Sequence, residues 1–175
     1  FIILAKKMLV SKFFVRIYCL LFSVCIGYAQ HIHKISAVLN TEEKTLCVFQ
    51  ETTYKNTSSD TLHEIILQDW INAYADRDSQ LGKRFSDEYV RSFHLASTKE
   101  RGKTSELHFI DENKYILRYK RLPNQEDVIS LKLNTPLAPS QSITYSYNYV
   151  IKLPSSKFTG IGYDEENGYV LKNCF

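Results

Sequence analysis

The chain has 175 residues, 44% of them hydrophobic and 13% aromatic, enough for one domain with a packed core and too much for a disordered tail. Its formal charge of +3 is misleading, because Lys6, Lys7, Lys12 and Arg16 lie before the first acid, Glu42. Without those four, 18 Lys plus Arg face 19 Asp plus Glu, a net charge of −1 that excludes a general electrostatic case for nucleic acid.

Residues 1–29 have the layout of a secretory signal peptide: positive charge, an apolar run over Ile17–Gly27, and small residues at Gly27 and Ala29. The run is roughly half the ~20 residues a membrane-spanning helix needs, so no permanent membrane anchor is expected. Met8 is the expected start, which places residues 1–7 upstream of it. Cys25 follows Val24 rather than a small residue, which argues against lipidation. Export to the periplasm, the cell surface or the medium follows, and of four cysteines only Cys47 and Cys174 remain in the mature chain, read as separate thiols.

From residue 30 to 175 the chain reads as one mainly β domain, an antiparallel β-sandwich with one amphipathic helix and an unfinished C-terminal end. Lys34–Asn56 predicts a long hairpin turning at Thr41-Glu42-Glu43-Lys44. Asn56-Thr57-Ser58-Ser59-Asp60 predicts a turn before a strand at Leu62–Leu67, and Asn56-Thr57-Ser58 is also a glycosylation sequon read as fortuitous. Leu81, Phe85, Tyr89 and Phe93 recur every four residues and predict a helix over Ser79–His94.

Strands follow at Leu107–Ile110, Tyr115–Tyr119 and Val128–Leu133, read as an antiparallel meander from their short connections. Arg118, Lys120 and Arg121 are read as a solvated edge. Pro136 and Pro139 are assigned to the loop before the clearest strand, Ser142–Lys152. There Ile143, Tyr145, Tyr147, Tyr149 and Ile151 alternate with small polar residues, which predicts a buried tyrosine face. Gly168–Leu171 opens another strand-like run, so further protein is expected after Phe175.

The chemical motifs are negative. His63-Glu64-Ile65-Ile66-Leu67 approaches the H-E-x-x-H zinc motif, but Leu67 replaces the second histidine and the segment is strand-like. His31 and His33 share one face of an extended segment that is expected to fray. No G-x-S-x-G, Walker loop or G-x-G-x-x-G is present, so no catalytic, cofactor-binding or metal-ligating residue is assigned.

The succession Val38-Leu39-Asn40, Leu46–Gln50, Thr53-Tyr54-Lys55-Asn56-Thr57-Ser58, Leu62 and Leu67-Gln68-Asp69-Trp70-Ile71-Asn72 resembles the opening of M1-family zinc aminopeptidases, where a hairpin leads to a Y-x-N-x-S turn. Leu81-Gly82-Lys83-Arg84-Phe85, Arg101-Gly102-Lys103-Thr104 and Ile151–Thr159 look like the same amino-terminal domain in secreted bacterial members, so the resemblance covers roughly residues 32–175. It implies a non-catalytic β-sandwich docked on the chain's own downstream thermolysin-like domain, where zinc would be held for hydrolysis of a peptide substrate. The family's G-x-M-E-N motif is missing, Met8 being the only methionine. The alternative is a secreted binding or adhesion module for glycan or peptide, with exposed tyrosines as its mark.

Overall fold

The computed structural model describes residues 31–158 and 160–172. The expected signal-peptide region 1–29 and Cys174 lie outside the described residues. Strands β1 (His31–Asn40) and β2 (Thr45–Lys55) form the expected hairpin in continuous register, from His31 opposite Tyr54 to Asn40 opposite Thr45. Asn40 closes the turn by accepting from the backbone N–H groups of Glu42 and Glu43, both at 3.0 Å. The amino end does not fray as expected. His31 stacks on Tyr54 with centroids 4.6 Å apart, and His33 Nδ1 lies 3.0 Å from Thr52 Oγ1, so cross-strand contacts hold both histidines.

The remaining strands are β3 (Leu62–Gln68), β4 (Lys103–Asp111), β5 (Ile116–Leu117), β6 (Tyr119–Leu122), β7 (Gln125–Leu137), β8 (Ser142–Lys152), β9 (Gly162–Asp164) and β10 (Gly168–Val170). A five-stranded sheet has the order β1-β2-β8-β4-β5 and a three-stranded sheet the order β3-β7-β6, while β9 and β10 form a separate hairpin. Strand pairing within both sheets is antiparallel, and the fold is the expected mainly β sandwich. The expected simple meander is replaced by two hairpins in different sheets. β4 pairs with β5, the chain crosses at Arg118, and β6 pairs with β7. Loop length predicts antiparallel neighbours; which sheet they join depends on where Leu117 and Leu131, nearly inaccessible to solvent, find cover.

Between the sheets, Ile65, Phe109, Leu117, Leu131, Leu133, Leu137 and Tyr145 form one core cluster. A second joins Leu46, Val48, Ile71, Tyr149, Ile151, Leu153 and Tyr163. Each such aliphatic or aromatic side chain contributes about 1.5–3 kcal/mol on full burial. Tyr145, Tyr147 and Tyr149 stack along β8 at 5.9 and 5.4 Å, with Tyr145 and Tyr149 buried and Tyr147 half-buried, as the alternation predicts. Pro136 lies inside β7 rather than in the following loop. It is exposed, and the β3–β7 register shifts between Leu62 and Glu64, so no ladder amide is required of it.

The single helix expected over 79–94 is two short ones, α1 (Gln80–Asp87) and α2 (Arg91–Leu95). A four-residue recurrence drifts by about 40° per step around a helix of 3.6 residues per turn, so Leu81, Phe85, Tyr89 and Phe93 cannot all face one core. The chain breaks at Tyr89, whose φ of 60° is left-handed and whose ring is 86% exposed. The break lets Phe93 turn in, edge-on to Phe85 at 5.3 Å and to Phe158 at 5.2 Å. Ser79 caps α1 by accepting from Gly82 N–H at 3.1 Å.

Candidate functional site

Three strands cannot cover five, and β1, at one edge of the larger sheet, is exposed along almost its whole length. There a cleft of about 600 Å³ opens between the sheets. Its floor is formed by Tyr147 and Tyr149 with Ile35 of β1, its far wall by Leu67 of β3 and Ile129 of β7, and Trp70 stands at its rim. Ile35 is 42% exposed and Trp70 is 40% exposed, whereas a paired inner face would bury both. Among the described residues β3 pairs with β7 alone, so its other edge has no strand partner there.

The polar groups of the cleft are arranged to satisfy one another. Tyr149 OH donates to Gln50 Oε1 at 3.0 Å, and the Gln50 amide reaches Thr52 Oγ1 at 3.4 Å. Burial pushes the Tyr145 phenol upward, with the neighbouring Tyr147 and Tyr54 adding to the shift. Tyr147 is raised mainly by burial too, and also by the negative charge of Asp69, against a lowering hydrogen bond with Thr52. Both therefore stay protonated at neutral pH and offer hydroxyls, not bases.

Asp69, the one carboxylate on the cleft wall among the described residues, is engaged on both oxygens. It accepts from Thr104 Oγ1 at 2.6 Å and from Arg121 Nη2 at 2.7 Å. Arg121 also donates to the Glu126 carbonyl at 2.6 Å, and Asn72 donates to the same carbonyl at 2.7 Å. This clamp ties the end of β3 to β4, β6 and the start of β7. It corrects the reading of Arg121 as part of a solvated edge; Arg118 and Lys120 are exposed as expected. Sequence gives little signal for it, since Asp69 and Arg121 are 52 residues apart.

The motif residues are dispersed. His63 is exposed on β3, and Glu64 binds Ser130 Oγ across the β3–β7 ladder. Leu67, standing where a second zinc ligand would be, is part of the cleft wall. In a strand, positions four apart are some ~13 Å apart, so these residues do not fit a zinc ion. Among the described residues no group of three or more His, Cys, Asp or Glu side chains converges as a metal site would require. Cys47 is a free, exposed thiol on the outer face of β2. Glu100, which does not line the cleft, is held down to about 2 by Lys157 first and then by Ser97, which leaves it ionised.

The sequon is structural. Asn56 is fully buried, and its amide donates to the carbonyls of Asp60 at 2.8 Å and Leu137 at 2.9 Å. The glycosylatable nitrogen is thereby committed in the folded chain. No protein-family model matches this sequence, and no curated protein matches it either.

Proposed function

We propose that this chain is the non-catalytic amino-terminal β-sandwich domain of an exported zinc-dependent aminopeptidase of the M1 type. The observation that carries the reading is where the resembling segments fall. Tyr54–Ser58 contains the buried Asn56 joint, and Leu67–Asn72 contains Asp69 and Asn72 of the polar clamp. Ile151–Thr159 and Arg101–Thr104 meet where Gly102 packs tightly on Pro154, an added Cβ coming within 2.8 Å of the proline ring. Resemblance at the joints of a fold supports common architecture more strongly than resemblance in strand residues, which alternate in any sandwich.

On this reading the domain supplies shape and a wall beside a substrate cleft, and the zinc and its ligands belong to downstream sequence. The coding region after Phe175 is then expected to contain H-E-x-x-H on a helix and a further glutamate, and the secreted full-length protein to carry one zinc and hydrolyse aminoacyl-nitroanilides. A stop codon directly after Phe175, or a zinc-free and inactive full-length product, would overturn the proposal. The second reading, a secreted module for glycan or peptide, is favoured by the cleft with Trp70 at its rim. The burial of Tyr145 and Tyr149 weighs against a flat stacking platform. Saturable binding of an oligosaccharide or peptide, lost in Trp70→Ala, would support it.

A further inference from the structure

An open sheet ends in strands whose outward N–H and C=O groups have no partner, and folded proteins blunt such edges by shortness, bulges, proline or charge. Among the described residues, three edges of the two main sheets are blunted in this way. β5 has two residues, β6 has four, and the pairing of β3 shifts register between Leu62 and Glu64. β1, the other edge of the five-stranded sheet, has none of these devices. It runs ten residues without proline, in unbroken register with β2, and every residue from Ile32 to Val38 is exposed. It carries no acid, and its one lysine, Lys34, is neutralised by Glu51 at 2.7 Å. Apolar side chains are open on both faces: Ile35, 42% exposed, on the cleft side, and Ile32 and Val38, 55% and 68% exposed, on the outer side.

We propose that two copies of this chain pair antiparallel along β1, about a two-fold axis at Ile35, joining their five-stranded sheets into one continuous sheet. Residues directly opposite in an antiparallel pair point to the same face, so a two-fold register sets odd positions against odd and even against even. Centred on Ile35, the inner face sets Ile35 against the partner's Ile35 and His33 against the partner's Ala37. The outer face sets Ile32 against the partner's Val38, twice over. Lys34 lies opposite the partner's Ser36, so the like charges are not opposed and each lysine keeps its own Glu51. The neighbouring registers are worse: an axis at Lys34 opposes the two ammonium groups, and an axis at Ser36 sets each of them against the partner's Val38. The strand from His31 to Leu39 is paired throughout, enough for about eight to ten ladder hydrogen bonds. The pairing is independent of the peptidase proposal, which is read by zinc content and hydrolysis rather than by mass.

Sedimentation velocity of the full-length secreted protein is expected to show a reversible monomer–dimer equilibrium. Ile35→Lys sets two ammonium groups face to face on the axis and should weaken dimerisation by about tenfold or more, while Ile66→Lys, at an exposed position of β3, should leave it unchanged. A second readout does not depend on the lysine variant folding. In a Cys47→Ser background, mild oxidation of Ile35→Cys should join two copies through that position, because opposed Cα atoms lie about 4.5–5.5 Å apart, within disulfide reach. Ile32→Cys should not join to itself, its two copies being about 20 Å apart along the strands. A parent that stays monomeric, an Ile35→Lys variant that dimerises as tightly as the parent, or an Ile32→Cys variant that cross-links to itself as readily as Ile35→Cys would overturn the proposal.

Discussion

Asn56→Ala is the substitution whose cost the structure specifies most closely. The side chain makes four hydrogen bonds: two donated by its amide to Asp60 and Leu137, and two accepted from the backbone N–H and the hydroxyl of Ser58. Ser58 and Asp60 are exposed, so water replaces those partners at little net cost. The Leu137 carbonyl belongs to a buried residue and would be left without this donor, at about 1–3 kcal/mol. With the cavity and the loosened turn added, the total is about 3 kcal/mol, a large share of a typical domain's stability. Asn56→Asp should be worse than alanine, because it brings a carboxylate against two carbonyl oxygens that now accept from the amide. Urea unfolding followed by circular dichroism gives both values. A loss below about 1 kcal/mol for alanine, or an aspartate variant as stable as the parent, would refute the claim that this amide holds the turn.

Asp69→Asn removes the charge from the clamp and is expected to cost about 2 kcal/mol, in the range for hydrogen bonds to charged groups. In a double-mutant cycle with Arg121→Met the two losses should be clearly less than additive; additivity would show that the pair does not interact. Alkaline stability is expected to fall through ionisation of Tyr145, whose folded-state pKa is raised chiefly by burial. A raised pKa contributes stability that is fully present below the ordinary tyrosine value of about 10 and is lost as pH climbs toward the folded value. Tyr145→Phe should therefore flatten the decline in melting temperature above about pH 10 relative to the parent, and an unchanged slope would remove Tyr145 as its cause.

Local pattern was enough for the β1–β2 hairpin, the turn at Asn56 and the alternating face of β8, because each depends on residues close in sequence and on a strand period of two. The helix break was hidden for a related reason: recurrence every four residues resembles one apolar stripe, yet its angular drift forces a break at Tyr89 so that Phe93 can be buried. Sheet membership, the Asp69–Arg121 clamp and the cleft were not legible. They arise where segments separated by tens of residues meet, and a strand's own sequence carries no mark of its neighbour. The amino-acid order alone therefore determined that the described part of the chain forms strands with one apolar face. Tertiary structure decided that five of them lie under three, because only packing settles which inner faces find cover and which remain open beside Ile35 and Trp70.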